Sequence, residues 1–319
     1  MMTAAQVRLH QSPILTNLLL GMGQGEFIAE SLFPRLPQAL SAITLAQVGN
    51  ERFKRYNLRR APGSETKKIE IKFEGKSYGL DQYAVEVPIP RELIREADQS
   101  RRLNVGNYLD ISRIAMVTAS AVLAQDYELD AAGIATLPAS YAVGHTQALA
   151  AGTKWSASTG TPVTDIRAAS DIIRKKIGKR PNKLILSADA KSALITNAEV
   201  RSYLPNTQMG PATLEQLKTI LEVKEIVVGD GIWVDNADVG QDIWGNNAIL
   251  AYAPMMGGSG GDISLAEPAF GFTNVMEGHP FSETPEYRES IKSWIYGATY
   301  ERRVNIAYNT AAFLFQNPK

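Results

Sequence analysis

The sequence predicts a mixed α+β fold in which a long helix and a set of return strands flank an inserted α/β unit. Three observations support this prediction. Residues 52–76 combine high positive charge with the alternation of a strand. Residues 105–132 form an alanine-rich stretch with helical periodicity. Residues 164–253 alternate amphipathic helical patterns with short, continuously apolar segments, which are typical of buried strands.

The first 50 residues predict an N-terminal arm rather than a domain. Their apolar side chains come in short clusters, and glycine or proline interrupts each cluster. Phe27 and Phe33 lie in the last of these clusters. Such clusters are too short to bury a core of their own. The arm is therefore expected to lie on another surface.

A basic hairpin is predicted next, over residues 52–76. It carries nine lysines and arginines against three glutamates, a local charge of +6 in a chain of net charge zero. Ile69, Ile71 and Phe73 fall on one face of a strand, and residues 61–64 form the turn. An isolated two-stranded ribbon is marginally stable in water. Its charge indicates an acidic partner, either a neighbouring copy of the chain or nucleic acid.

A further strand and a long helix follow the hairpin. Tyr83, Val85 and Val87 alternate along the strand, which Pro88 and Pro90 are expected to end. The helix is predicted from Val105 to Ala132, with Asn104 as its N-cap. Its apolar stripe is expected to face a sheet and consists of Leu109, Ile114, Val117, Ala121 and Ala124.

The inserted unit begins after a loop-like stretch at residues 133–163. A helix capped by Thr164 and ended by Gly178 is predicted first, then a buried strand at 184–187. Helices are expected from Ser187 and over 213–223, and two more buried strands lie in the segments EIVVGD and NAILAYAP. The tail after residue 289 is rich in aromatic and β-branched residues and predicts long strands.

Composition excludes several classes of protein. The 319 residues include 33 basic and 33 acidic side chains, whereas a dedicated nucleic-acid binder is basic overall. The chain has no cysteine, so disulfides, thiolate metal sites and cysteine nucleophiles are absent. No apolar run has the length of a membrane span, and the N-terminus lacks the pattern of a signal peptide.

Candidate chemical sites are weak, and no catalytic residue, cofactor or metal is predicted. The segment GMGQGEF at 21–27 resembles a phosphate loop but does not join a strand to a helix. The three histidines are scattered. Aspartates at 235, 238 and 242 lack the spacing of a calcium loop, and Glu283 with Glu286 stands among polar turn residues. The tryptophans predict core or subunit contacts, and the Arg101–Arg102 and Arg302–Arg303 pairs predict solvated charges or ion pairs between subunits.

Several segments in a fixed order resemble the major capsid proteins of tailed bacteriophages with the Hong Kong 97-like fold. The resemblance covers roughly residues 27–317. It rests on these segments: FIAESLFPRLP, KKIEIKFEGKSYGLDQYAVEVPIP, the long helix, GKRPN with the strand after it, AEVRSYL, VVGD and IWGNNAILAYAP. No single one of these motifs is specific to the family, but their order along most of the chain is specific to it.

The resemblance implies a domain layout. Residues 1–50 would be the N-terminal arm and 51–90 the extended loop, or E-loop. Residues 91–162 and 267–319 would form a discontinuous peripheral (P) domain around the long spine helix. Residues 163–266 would form the axial (A) domain.

The resemblance also implies a role without catalysis. Copies of the chain would form homo-pentamers and homo-hexamers that close into an icosahedral shell, with double-stranded DNA held non-specifically on its inner face. The chain reaches arm-like sequence soon after Met1, which implies a separate scaffolding protein. A portal and a decoration protein are further implied partners. The shell would be a virion capsid assembled in the host bacterial cytoplasm, without a membrane.

The expected inter-subunit contacts follow from this role and from the charge of the hairpin. They involve Arg55, Arg59, Arg60, Lys67, Lys68, Phe27 and Phe33. The partner carboxylates are expected at Glu92 and Glu96, or at Asp126 and Glu128 on the long helix. A flexible loop near the capsomer axis is expected at Gly257, Gly258 and Gly260.

Two other functions fit parts of the same pattern. An encapsulin-like nanocompartment would share the fold and enclose a protein cargo, and the contents of purified shells would separate it from a phage capsid. A soluble oligomeric α/β enzyme would need a convergent polar site, which the sequence does not indicate. A screen for bound metal or nucleotide would test that function.

Overall fold

A mixed α+β architecture is confirmed by the computed structural model, which describes residues 27–48, 73–102, 111–204, 210–253 and 268–319 and the single positions Arg55, Arg59 and Thr66. The helices in these ranges are α1 (Ala29–Leu32), α2 (Arg91–Arg102), α3 (Ile111–Ala135), α4 (Pro162–Ile177), α5 (Ala188–Thr196), α6 (Ala198–Ser202) and α7 (Leu214–Leu221). The strands are β1 (Arg35–Gln38), β2 (Ala42–Val48), β3 (Phe73–Gly79), β4 (Asp81–Pro90), β5 (Thr146–Ala148), β6 (Lys183–Ser187), β7 (Glu225–Gly229), β8 (Ile232–Val234), β9 (Gly240–Asp242), β10 (Asn247–Ala251), β11 (Gly271–Met276), β12 (Phe281–Ser282), β13 (Glu286–Arg288), β14 (Ser293–Ile306) and β15 (Ala312–Gln316).

The first sheet is organised around β14, a strand of 14 residues. Its order is β1-β11-β14-β12, and β4 and β13 also pair with β14. Strand β4 lies antiparallel to β14 over ten residue pairs, from Ser293 opposite Pro90 to Arg302 opposite Asp81. The long strands predicted for the tail are therefore present, and they hold the segment that follows the hairpin.

The expectation that prolines end β4 is confirmed at Pro90, which is the last residue of the strand, and is wrong for Pro88. The strand runs through Pro88, which lies opposite Ile295. A proline has no N–H for a ladder, so sheets accept it on an edge strand. In the part of the chain that the structure describes, β4 pairs with β14 alone, which leaves its other edge free for these prolines. The alternation itself is confirmed, because Tyr83, Val85 and Val87 are less exposed than their neighbours.

The long helix is confirmed, but the face that packs on the sheet differs from the predicted one. Helix α3 ends at Ala135, three residues later than predicted, and residues 103–110 lie outside the described part. Ile114 and Val117 are 45% and 38% exposed. The buried stripe instead consists of Ala115, Met116, Ala119, Leu123, Tyr127, Ala131, Ala132 and Ala135. Small side chains let the helix approach the sheet closely.

The second sheet has the order β5-β15-β10-β6-β7 and packs against helices α4, α5 and α7. All the residues of β6 are buried, as its continuous apolar run predicts. Ser187 caps α5, and Thr213 caps α7 in a capping box with Gln216. Helix α4 begins earlier than predicted, with Thr161 as the N-cap residue and Pro162 at its first position, and it ends at Gly178 with φ of 73°.

The C-terminal strand belongs to the second sheet. Strand β15 pairs antiparallel with β10 and parallel with β5. The expected layout placed residues 267–319 together with the long helix, whereas residues 312–316 complete the sheet of the inserted unit. Phe313 and Phe315 are buried in this second sheet, and the burial of their apolar surface stabilises β15 there.

The described part of the arm pairs with the first sheet, and two further strands flank the region of the predicted hairpin. Strand β1 of the arm runs parallel to β11 at the edge of the first sheet. Strands β2 and β3 form an antiparallel pair, from Ala42 opposite Gly79 to Val48 opposite Phe73. The predicted turn at residues 61–64 lies outside the described residues. Among the helices of the described ranges, none has the length and apolar character to cross a membrane.

Candidate assembly surfaces

The arm is fixed to the long helix by a buried carboxylate. Glu128 of α3 is fully buried and accepts hydrogen bonds from the backbone N–H groups of Ile28 and Ala29, at 2.9 and 2.8 Å. It also accepts a 2.6 Å bond from Nε1 of Trp244. Burial raises the pKa of Glu128, and the three donors act in the opposite direction. Three distant segments of the chain therefore meet at one side chain.

The two phenylalanines expected at subunit contacts both touch their own subunit. Phe33 is fully buried, and its ring centroid lies 5.6 Å from that of Phe270. Phe27 is partly buried against the same core. Phe33 is thus an internal anchor of the arm, whereas contact of the partly exposed Phe27 with a neighbouring subunit stays a prediction.

Arg302 joins the long helix to the first sheet. Its side chain is 1% exposed and forms ion pairs with Asp126 at 2.6 Å and Asp130 at 2.8 Å. The guanidinium also lies 4.0 Å from the ring centroid of Tyr83. The expectation of a solvated or inter-subunit charge is therefore wrong for Arg302. Its neighbour Arg303 is exposed and lies 3.8 Å from Asp81.

These contacts remove two of the four carboxylates that were expected to receive the basic hairpin. Asp126 is paired with Arg302, and Glu128 is buried against its own subunit. Glu92 forms an exposed ion pair with Arg91, and Glu96 is exposed. The partner positions proposed on α3 are therefore occupied within the subunit.

Of the basic residues expected at subunit contacts, the structure describes Arg55 and Arg59, and both are exposed. Residues outside the described ranges are Arg60, Lys67, Lys68, Gly257, Gly258 and Gly260. The inter-subunit and axial roles of these residues stay predictions.

The outward face of the long helix is unusually apolar. Ile114, Val117 and Val122 are all exposed on α3. Ile114 and Val117 are three residues apart and share a face, and Val122 lies beside Ile114 two turns later. All three lie outside the buried stripe that packs on the sheet. Exposed apolar groups that share one face are typical of surfaces that meet a partner.

A groove rich in arginine lies between α2 and the start of β14. It has a volume of about 550 Å³ and is lined by Arg91, Ile94, Arg95, Asp98, Gln99, Arg102 and Trp294. We call it the arginine groove. Three arginines face one aspartate there, and the indole of Trp294 provides an apolar wall. Within the described residues, Arg95 and Arg102 form no ion pair.

A small hairpin of opposite charge projects from the inserted unit. Residues 230–242, which we call the acidic hairpin, contain four aspartates and no lysine or arginine. Strands β8 and β9 pair so that Ile232 lies opposite Asp242. Ile232 and Val234 are 57% and 56% exposed on one face, whereas Trp233 on the other face packs on the core. Asp235 closes the turn by accepting from two backbone N–H groups.

The histidines that the structure describes, His145 and His279, form hydrogen bonds within the subunit. His145 is buried, and its Nδ1 donates to the carbonyl of Ala312 at 2.9 Å. Nδ1 of His279 accepts from the backbone N–H of Glu301. Burial lowers the pKa of both side chains. Over the described ranges, no three His, Asp or Glu side chains are grouped as metal ligands would be.

Comparison with known proteins connects these features to one family. The model of the family described as "Phage major capsid protein E" matches residues 111–298. The major capsid protein of Burkholderia phage BcepMu is 32% identical over 273 residues, which cover 85% of each chain.

Solved structures extend the match to almost the whole chain. A phage-related protein from Bordetella bronchiseptica has a TM-score of 0.78 at 33% identity, over 97% of both chains. An encapsulin complex from Synechococcus elongatus has a TM-score of 0.52 at 12% identity, over 99% of this chain and 95% of that one. At 12% identity the second likeness concerns the fold alone.

Proposed function

The chain belongs to the phage major capsid protein E family, and we propose from this premise that its copies form a closed icosahedral shell of pentamers and hexamers around double-stranded DNA. Membership makes it a major capsid protein, which is a structural role. The observation that carries the proposal is the 32% identity to a phage major capsid protein over 85% of both chains.

The arrangement of the subunit supports the same proposal. Shell proteins need a rigid body that presents several surfaces to neighbours. Here Glu128 and Arg302 fix the arm, the long helix and the first sheet to one another. The outward face of α3, the arginine groove and the acidic hairpin then remain available on the surface of that body.

We further propose that the subunit has the Hong Kong 97-like layout. Helix α3 would be the spine helix, and the β2–β3 pair would be the base of the E-loop. The expected limits are an arm (1–50), an E-loop (51–90), a P domain (91–162 and 267–319) and an A domain (163–266). We change them at one place, because β15 would move from the P domain to the A-domain sheet. Arg55, Arg59, Arg60, Lys67 and Lys68 would contact a neighbouring subunit, and Gly257, Gly258 and Gly260 would lie near the capsomer axis.

The implied partners belong to the same proposal. A separate scaffolding protein would guide assembly in the host bacterial cytoplasm, and a portal and a decoration protein would complete the virion capsid. Packaged DNA would meet the inner face through its phosphates, without sequence readout. The net charge of zero agrees with contact over part of the surface only.

An encapsulin-like compartment is the second candidate. The likeness to the encapsulin complex supports the shared fold, but at 12% identity it supports nothing about contents. The relative at 32% identity is a capsid protein, which favours a DNA-filled shell.

Electron microscopy of the protein, produced alone and with the phage's other assembly proteins, tests the proposal. We expect capsomers, shells or tubes, and nuclease-protected DNA in particles recovered from a phage infection. Particles that contain a protein cargo and no DNA would favour the encapsulin function. A protein that stays monomeric at every salt and protein concentration would refute both.

A further inference from the structure

The arginine groove has the composition of a protein-binding site. Arginine and tryptophan are the residues most enriched in the energetic centres of protein interfaces, and the groove combines three arginines with Trp294 and Ile94. Arg91 is engaged by Glu92, whereas Arg95 and Arg102 form no ion pair within the described residues. Arg95 and Arg102 therefore lie beside an apolar wall, and Asp98 is the one aspartate among the described residues that line the groove with them.

The acidic hairpin has the complementary composition. Ile232, Val234 and Val239 expose aliphatic side chains, and Asp238 and Asp242 form no ion pair within the part of the chain that the structure describes. The spacing of the charges permits both pairs to form at once. Arg95 and Arg102 are seven residues apart on α2, or about 10 Å at 1.5 Å per residue. Asp238 and Asp242 are four residues apart and at most about 13 Å from each other.

We propose that the acidic hairpin of one copy docks into the arginine groove of a neighbouring copy. Asp238 and Asp242 pair with Arg95 and Arg102, and the exposed face of β8 packs on Trp294. The hairpin and the groove are different patches of one chain, so the contact is heterologous and closes a ring when the rotation between copies allows it. The inference rests on the proposed shell function, because it requires copies of the chain to meet.

A nucleic acid is the other polyanion that the groove could attract. The apolar content of both surfaces favours a copy of the chain, because Trp294 and Ile94 would gain little from a phosphate backbone. The exposed aliphatic side chains of β8 would be buried by docking in the groove, and a DNA partner would leave them in water.

Site-specific cross-linking tests the contact directly, since the chain has no cysteine of its own. Arg95→Cys and Asp238→Cys are made as separate variants, co-assembled and treated with a short bismaleimide. We expect a product of twice the monomer mass only when both variants are present. Lys175→Cys, on an exposed position of α4, replaces Arg95→Cys in the matched control and should give no such product.

A charge exchange supplies a second, independent readout. Arg95→Asp with Arg102→Asp, and separately Asp238→Arg with Asp242→Arg, should each lower the assembled fraction by about tenfold or more, since like charges would face each other across the contact. The combined fourfold variant should recover assembly. Lys175→Asp with Lys176→Asp, on α4, makes the same change in net charge as the arginine variant and should have little effect. Circular dichroism establishes that each subunit is folded.

The outcomes separate this contact from the shell function. Particles that form without the specific cross-link would refute the contact and leave the proposed function intact. A strictly monomeric protein would refute both. Failure of the fourfold variant to recover would overturn the pairing, because that variant has the net charge of the natural protein. An equal loss in the Lys175/Lys176 control would attribute the effect of the arginine variant to net charge and would also overturn the pairing. Arginine variants that assemble normally but retain less DNA would assign the groove to nucleic acid instead.

Discussion

The carboxylate of Glu128 accepts a 2.6 Å hydrogen bond from the indole of Trp244, although 116 positions separate the two residues. The same carboxylate holds the backbone of the arm at Ile28 and Ala29. The arm, the long helix and the inserted unit therefore share one buried polar centre. Removal of this carboxylate should therefore weaken the attachment of all three segments to one another.

Glu128→Leu should lower the free energy of unfolding by about 3–5 kcal/mol, because three buried N–H donors lose their acceptor. Urea unfolding of the soluble subunit measures the loss. Hydrogen exchange at the amides of Ile28 and Ala29 should accelerate at the same time, since these amides bond to the carboxylate. Glu289→Leu, at an exposed position, is the control and should stay within about 0.5 kcal/mol. Unchanged protection of both amides would contradict this prediction.

Arg302→Met should destabilise the subunit by about 2–4 kcal/mol. The substitution removes a buried cation from two carboxylates and from the ring of Tyr83. Both aspartates are partly exposed and can regain water, which moderates the loss. Arg303→Met is the matched control on the next residue, where an exposed pair contributes under about 1 kcal/mol. Equal effects of the two substitutions in denaturant unfolding would show that the burial of Arg302 is energetically unimportant.

His145 should make stability depend on pH. Burial lowers its pKa below the ordinary value of 6.5, so the unfolded chain takes up a proton before the folded subunit does. Its contribution is fully present above pH 6.5 and is lost as the pH falls toward the lower folded pKa. Chemical unfolding at pH 7.5 and pH 5 should show a larger loss for the natural protein than for His145→Asn. Asparagine can still donate to the Ala312 carbonyl but does not titrate. Parallel pH curves for the two proteins would rule out this role.

Arg59→Glu combined with Arg60→Glu should reduce particle yield strongly and leave the subunit nearly as stable. Arg59 is exposed, and a charge-assisted contact between subunits can be worth about 2–5 kcal/mol when one partner is removed. Assembly of the natural protein should also be more sensitive to salt than that of a variant with an uncharged loop.

Particle yield and thermal melting of the subunit are measured side by side for the loop variants. Lys175→Glu with Lys176→Glu makes the same change in net charge on α4. Normal particle yield from the loop variant would indicate that Arg59 and Arg60 serve solubility and not assembly. Loss of folding would instead indicate that the loop packs on its own subunit.

Local sequence pattern predicted the buried strands and several helices of the inserted unit, but not the N-cap of α4 or the place of β15 in its sheet. The buried strand at Lys183–Ser187 and the helix that Gly178 ends follow from hydrophobic periodicity and from the backbone preferences of glycine. Side chains that cap their own helices, such as Ser187 and Thr213, act over three residues and are therefore visible in sequence.

The packing face of the long helix was not predictable from hydrophobicity. Ile114 and Val117 are more hydrophobic than Ala115 and Ala119, yet the alanines face the sheet. Periodicity identifies an apolar face but does not distinguish one that packs inside the subunit from one that a partner covers. In a protein that assembles, both kinds of face occur on the same helix.

The buried polar contacts between distant segments could not be predicted from the sequence either. Arg302 pairs with Asp126 at a separation of 176 positions, and nothing in the local sequence of either residue marks the pair. Buried charges of this kind depend on the final register of strand and helix. The charged residues that looked suited to a neighbour are therefore partly used inside the subunit.

The short connection between β14 and β15 joins the two sheets of the subunit stiffly. Residues 307–311 join the two sheets, and backbone bonds hold the connection at both ends, from Ala307 to Phe270 and from Tyr252 to Ala311. A force on one sheet is therefore transmitted to the other along this short stretch of backbone. In the proposed shell, this connection would resist bending between the two sheets, so that curvature would arise at the contacts between copies.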